Sequence, residues 1–120
     1  MDKVFRELDG KILIGLVEKI TLNGNGRQKE LSAKIDTGAT KSSVDMELAK
    51  KLKLGPVISS KMIKSAHGMK IRPIVEAEIS LAGRKIRSEF TLADRSHMKY
   101  KALIGQNILK DGFLINPEKK

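Results

Sequence analysis

A side-chain period of two runs through most of this chain and restricts it to a strand-rich fold. Val75, Ala77, Ile79 and Leu81 alternate with Glu76, Glu78 and Ser80. After a turn at Ala82-Gly83-Arg84, Ile86, Ser88, Phe90 and Leu92 alternate with Lys85, Arg87, Glu89 and Thr91. Such patterns put one set of side chains on each face of a half-buried strand. Ile12, Ile14, Leu16, Ile20 and Leu22 share one phase, broken by Glu18, which predicts a single long strand from Lys11 to Leu22. Asn23-Gly24-Asn25-Gly26 then signals a hairpin into a strand with Leu31, Ala33 and Ile35 on one face and Glu30, Ser32 and Lys34 on the other. Val57 to Ile71 reads as a further hairpin with its tip near Ala66-His67-Gly68.

Helical spacing is confined to short segments. Val44, Leu48, Ala49 and Leu52 recur at helical intervals, with Asp45 as a cap and Gly55-Pro56 as a stop. Gln106 to Lys110 forms a last short helix, and Asp111-Gly112 turns the chain into Phe113-Leu114-Ile115. Five or more short strands with one short central helix predict a mainly β, barrel-like sandwich. The 120 residues are expected to form one domain, with 1–10 as a lead-in or extra edge segment and 117–120 as a polar tail.

The Leu31–Ile35 strand ends in Asp36-Thr37-Gly38. Asp and Gly are common at strand exits, so the tripeptide is also an ordinary turn. A carboxylate delivered at the end of a rigid strand, beside an orienting hydroxyl, is equally well placed for acid/base chemistry. Hydrolysis by carboxylates needs two of them close together. Asp94 is followed by Arg95-Ser96, Asp111 by Gly112-Phe113 and Asp45 by Met46-Glu47, so none repeats the motif. On the hypothesis that the motif performs such hydrolysis, a working site requires two copies of Asp36 across a two-fold axis, and that hypothesis predicts a homodimer.

Composition narrows the remaining options. Aromatic residues are only 3% and Trp is absent, so the core must be built from Ile, Leu, Val, Met and Ala. The absence of Cys excludes disulfides and thiolate metal sites. No apolar run approaches the ~20 residues of a membrane span, and the first residues lack a signal-peptide core. A cytoplasmic, membrane-free protein is expected. The formal charge of +10, from 24 Lys plus Arg against 14 Asp plus Glu, favours acidic partners. Nucleic acid fits poorly, because interleaved aromatics and an Arg- and Asn-bearing recognition helix are both missing. A solvated basic surface, an acidic peptide substrate or a ribosomal surface accounts for the charge instead.

Ala33 to Ser43, Asp94 to Tyr100, Ala102 to Leu109 and Phe113 to Pro117, in that order, resemble the retropepsin-like aspartic peptidases. The likeness is strongest to a prokaryotic branch labelled "ATP-dependent zinc protease" and associated with ATP-grasp amino-acid ligases. The resemblance implies the acid-protease fold, a closed barrel or sandwich with one or two short helices. It assigns catalysis to Asp36, bracing of the paired loops to Thr37, and the floor of the site to Gly38 and Ala39. Leu103, Ile104 and Gly105 would support that loop from below, and Ala66, His67 and Gly68 would form the flap tip. It further implies a peptide or protein substrate and the trimming of glutamate-rich extensions added by an ATP-grasp ligase, with a ribosomal protein as the candidate target.

Two positions depart from the family pattern. Relatives usually carry Arg after the apolar-apolar-Gly element, where this chain has Gln106, so a buried ion pair is missing or replaced. The flap retains Gly68 as its one glycine. These departures leave a second reading, a non-catalytic dimeric module of the same fold that binds acidic peptides or a ribosomal partner. Neither half of the family label finds residues here. His67 and His97 are the only histidines, without Cys or a His-Glu-x-x-His motif, and no phosphate-cradling glycine run is present. No cofactor and no metal are expected.

Overall fold

The computed structural model describes residues 5–119. Residues 1–4 of the lead-in and Lys120 of the polar tail lie outside the described residues. In chain order the elements are β1 (Glu7–Leu8), β2 (Lys11–Ile14), β3 (Val17–Asn23), β4 (Gln28–Ile35), β5 (Ser42–Asp45), α1 (Met46–Leu52) and β6 (Val57–Ser65). They continue with β7 (Gly68–Leu81), β8 (Arg84–Ala93), β9 (Ala102–Ile104), α2 (Gln106–Leu109) and β10 (Phe113–Ile115).

A seven-stranded sheet runs β3-β4-β9-β5-β8-β7-β6, and an additional β3–β7 pairing closes its first six strands into a barrel. The mainly β, closed-barrel expectation therefore holds. Closure works because each strand keeps its apolar set inward: Ile20 and Leu22 from β3, Ala33 and Ile35 from β4, Val75, Ala77, Ile79 and Leu81 from β7 are all buried. A second sheet, β1-β2-β10, joins the same core through Ile12, Ile14 and Phe113. Its β1 makes the residues before Gly10 an edge strand, paired antiparallel to β2.

The strand expected to be continuous from Lys11 to Leu22 is broken. β2 ends at Ile14 and β3 begins at Val17, so the two halves belong to different sheets. The inward phase resumes on Glu18, 5% exposed, while Leu16 is 50% exposed. A buried carboxylate at this corner is retained because it is paired. Its Oε2 accepts the Gly15 N–H at 2.7 Å and the Lys119 ammonium at 2.6 Å. Lys119 also lies 4.6 Å from the centroid of the Phe5 ring. The tail is thereby clamped to the barrel corner.

The central helix begins later than its apolar spacing suggests. Val44 belongs to β5, and Asp45 caps α1 by accepting the Leu48 N–H at 3.3 Å. Lys53, in a left-handed conformation at φ 54°, closes the helix ahead of Gly55-Pro56. Gly24 in the β3–β4 loop has a packing reason beyond the turn: a Cβ there would meet the Leu52 carbonyl oxygen at 1.7 Å.

Replacing Glu18 with Ala strands the Gly15 N–H and the Lys119 ammonium. We expect urea unfolding to show a loss of about 2 kcal/mol. Lys119→Ala leaves the Gly15 bond in place and is expected to cost about half of that.

Candidate active site

The site is built by an insertion. β4 and β5, consecutive in sequence, are not neighbours. β9 lies between them, parallel to β4 and antiparallel to β5. The connection 36–41 must therefore cross the end of β9, and β9 with the start of α2 holds it. Asp36 N–H donates to the Ile104 carbonyl at 2.9 Å. Gln106 N–H donates to the Ala39 carbonyl at 2.8 Å and Asn107 N–H to the Thr40 carbonyl at 3.2 Å. At position 105 there is no room for a side chain. A Cβ would stand 2.3 Å from the Lys41 carbonyl oxygen and 2.8 Å from that of Ala39, both immobile backbone atoms.

Asp36 itself is half-buried, while Thr37 and Gly38 are exposed and Ala39 is half-buried. The Asp36 Oδ1 accepts the Gly38 N–H at 2.9 Å, which fixes the carboxylate plane and leaves Oδ2 without a hydrogen bond among the described residues. Leu103 and Ile104 lie opposite Lys34 and Ile35 in the β4–β9 register, with Ile104 fully buried beneath the loop. The structure thus brings Asp36 to Ala39 together with Leu103 to Gly105. Ala66, His67 and Gly68 are carried on a separate element, the exposed tip of the β6–β7 hairpin.

Gln106 does not leave a gap where an ion pair was expected. Its side chain is exposed and its Nε2 donates to the Thr37 carbonyl at 2.6 Å. A neutral amide here ties α2 to the acidic loop.

Three residues that sequence reasoning passed over carry much of the support. Ser42, fully buried, accepts the Gly105 N–H at 2.9 Å and donates to Asn107 Oδ1 at 2.8 Å. The Asn107 amide then donates to Ser88 Oγ and to the Glu89 carbonyl, both at 3.0 Å. In sequence Ser42 looks like part of a polar loop. The signal available was Asn107 itself, a polar residue at the start of an apolar helix. The third is Arg95, only 9% exposed. Its Nε donates to the Tyr100 carbonyl at 3.0 Å and its Nη1 to Ser43 Oγ at 3.4 Å. Burial lowers the Arg95 pKa, and the Asp45 and Asp36 carboxylates oppose that shift.

A cavity of about 480 Å³ lies at the end of β4, lined by Leu16, Val17, Ile35, Met98 and Tyr100, with Lys34, Arg95 and Lys99 adding charge. The exposed corner residues Leu16 and Val17 are thereby explained as walls of this cavity. His67 and His97 are both exposed. Among the described residues no three His, Asp or Glu side chains converge as a metal requires, so the residues present do not fit a zinc centre. No helix among them is long and apolar enough to cross a membrane.

A closed β-barrel whose Asp-Thr-Gly loop crosses an inserted strand defines a retropepsin-like protein. Residues 47–120 match the family model for RimB-like proteins, described as "Retropepsin-like aspartic endopeptidase RimB", and the chain belongs to that family. The matched segment contains β9, Gly105 and α2 but begins after Asp36. Among solved structures, the chain is similar to Lpg0085 of Legionella pneumophila, a protein of unknown function assigned to DUF785. That likeness has a TM-score of 0.62 at 20% identity, over 90% of this chain and 94% of the other. It is also similar to the simian foamy virus protease, with a TM-score of 0.61 at 22% identity, over 78% of this chain and 91% of the other. At these identities both show the fold. No curated protein matches the chain.

Gly105→Ala is expected to force the 36–41 connection off β9, at a cost of about 1–3 kcal/mol, read as a lowered urea midpoint. Gln106→Ala removes one exposed hydrogen bond and is expected to cost less than about 1 kcal/mol in the same measurement.

Proposed function

We propose that the chain is an aspartic endopeptidase that works as a homodimer, with two Asp36 carboxylates activating one water. The observation that carries this reading is the state of Asp36. One of its oxygens is fixed by Gly38, the other is unbonded among the described residues, and no cluster of acidic side chains forms around it among them. Asp45 is buried and spends both oxygens, one on the Arg95 N–H at 2.8 Å and one on Leu48. Asp94 is engaged by the Ser96 N–H and hydroxyl, which lower its pKa.

A two-fold copy supplies the missing group. Crowding two carboxylates makes them share one proton. The ionised one takes a proton from water as the oxygen attacks the peptide carbonyl, and the protonated one donates to the carbonyl oxygen. The tetrahedral adduct then collapses with protonation of the leaving amine. The second sheet offers a place for the copies to meet. In the parallel β2–β10 ladder, Ile12 N–H donates to the Gly112 carbonyl and Asn116 N–H to that of Ile14. The alternation leaves Leu114 facing β2 and the peptide groups of Phe113 and Ile115 facing the other way. No strand pairs with β10 on that side among the described residues.

The cavity lined by Ile35, the residue before Asp36, supports an acidic substrate. Leu16, Val17, Ile35 and Met98 suit an aliphatic stem, and Lys34, Arg95 and Lys99 suit a carboxylate at its end. Glutamate has both features, in keeping with the trimming of glutamate-rich tails. The alternative, a non-catalytic dimeric module, drew its support from the lost arginine at 106. The Gln106 bond to Thr37 keeps the loop tied without it.

Mass spectrometry of a mixed peptide library containing oligo-glutamate, incubated over about pH 4–8, tests this reading. Wild type is expected to cleave acidic peptides, and Asp36→Asn to be slower by at least about a hundredfold. Equal cleavage by Asp36→Asn moves catalysis elsewhere. Intact oligo-glutamate beside cleaved neutral peptides removes the acidic substrate. The rate is also expected to rise as the square of dilute enzyme concentration. Ile115→Pro, which removes an outward N–H while sparing the β2 ladder, is expected to give an inactive monomer in sedimentation.

A further inference from the structure

Residues 116–119 return over the end of β2 after leaving β10. Asn116 N–H donates to the Ile14 carbonyl at 2.8 Å, and Lys119 N–H to the Asn116 carbonyl at 3.1 Å. This brings the backbone of Lys119 onto Gly15, where a Cβ would stand 3.0 Å from the Lys119 carbonyl oxygen. The Lys119 ammonium turns inward to Glu18 Oε2, the atom that also accepts the Gly15 N–H. Among the described residues the other ion pairs join side chains that are all at least 41% exposed. In the Lys119–Glu18 pair the side chains are 27% and 4% exposed. Exposed pairs do little to hold a geometry, whereas breaking a buried one leaves a charge out of water without its partner. The corner at Gly15 therefore depends on Lys119.

From this corner a short run of backbone leads to Asp36. The β3–β4 ladder begins with Val17 opposite Lys34. One residue beyond it, the Leu16 carbonyl accepts the Ile35 N–H at 2.9 Å. Ile35 precedes Asp36, whose own N–H is held separately by Ile104. Leu16 and Val17, 50% and 41% exposed, line the same cavity as Ile35. Half-exposed aliphatic side chains bury too little surface to fix their own position. Their place follows from the backbone, and the backbone at Gly15 is fixed by Glu18.

We propose that Glu18 and Lys119 are positioning residues for substrate binding. Their ion pair holds Gly15, and through Gly15 it holds the Leu16–Val17 wall and the Leu16 carbonyl bonded to Ile35. The inference rests on the peptidase reading above, in which this cavity takes a substrate side chain. Glu18 supplies the acceptor for Gly15, and Lys119 keeps that carboxylate turned towards it. Neither residue lines the cavity, so each acts only through the residues between. Loss of the pair frees the carboxylate to turn to solvent and the Gly15–Val17 corner to shift. Asp36 keeps its bonds to Ile104 and Gly38, so binding suffers and the chemical step is spared. Residues 116–119 shape the site from outside it.

Three variants separate this role from stability. Lys119→Met keeps the stem beside Phe5 and loses the cation. Glu18→Gln keeps an oxygen for Gly15, and Glu18→Ala keeps neither charge nor acceptor. Amide resonances of the folded protein are read first, because lower stability alone leaves native resonances in place. In Lys119→Met and Glu18→Ala the Ile35 amide is expected to shift while that of Phe90, in β8, does not. Glu18→Gln is expected to restore most of the wild-type position. An unmoved Ile35 amide in both of the other variants overturns the proposal, whether or not the protein cleaves peptides. With the fastest-cleaved peptide of the library, Lys119→Met is expected to raise KM at least about fivefold with kcat within about twofold of wild type, and Glu18→Gln to stay closer to wild type. Unchanged KM in Lys119→Met overturns the proposal as well, as does a fall confined to kcat. If wild type cleaves nothing, the peptidase reading fails, and the Ile35 resonance still decides whether the pair holds the strand end.

Discussion

Position 105 has room for a Cα and two hydrogens, and the acidic loop exists in its present form because of that. With β9 inserted between β4 and β5, the connection 36–41 has to pass over the strand's end at backbone contact distance. The carbonyls of Ala39 and Lys41 occupy the space a side chain would need. Close approach also lets those backbone groups be satisfied. Asp36, Ala39 and Thr40 all bond to β9 or α2, and Gly105 N–H finds Ser42 Oγ. A buried loop without such partners would lose more than a kilocalorie or so per orphaned group.

The same crossing sets the chemistry. A carboxylate on a free loop would sample many orientations. Asp36 instead starts from a paired strand end, with its N–H on Ile104 and its Oδ1 on Gly38. Beneath it, Ser42, Asn107, Ser88 and Glu89 form a chain of hydrogen bonds joining β5, α2 and β8. Satisfied networks of this kind, here partly buried, stiffen what they join. The walls of the neighbouring cavity come from the β2–β3 corner and from Arg95 to Tyr100. Leu16 and Val17 reach that cavity only because β2 and β3 part company at Gly15, where buried Glu18 holds the corner.

Much of this was legible in the sequence, and the failures have a common cause. Strands with strict alternation, such as Val75 to Leu81, and the hairpin with its tip at Ala66-His67 are found where the pattern puts them. Periodicity measures which way side chains point, and it cannot tell which sheet a strand joins. The break between Ile14 and Val17 was invisible for that reason, since both halves keep one phase while belonging to different sheets. Polarity misled in a second way. Glu18, Ser42 and Arg95 are buried among partners far away in sequence, at Lys119, Gly105 with Asn107, and Ser43. Nothing local to them announces this. Asp36 was readable from its place at a strand end and Gly105 from the family resemblance, although the carbonyls that exclude a side chain at 105 lie more than 60 residues away, at Ala39 and Lys41.

The division of the chain carries a further consequence. The family match covers residues 47–120 and leaves out Asp36, yet the groups that position the acidic loop, Ile104, Gly105, Gln106 and Asn107, all lie within it. The matched half is therefore the mould and the first half supplies the carboxylate that is set in it. That mould holds one carboxylate with one oxygen free. In the homodimer we propose, a two-fold axis that pairs β10 with its copy makes the same contact twice, and the same operation supplies the second carboxylate. On that proposal a chain that fails to pair at the edge also lacks the second Asp36, so assembly and catalysis are lost together.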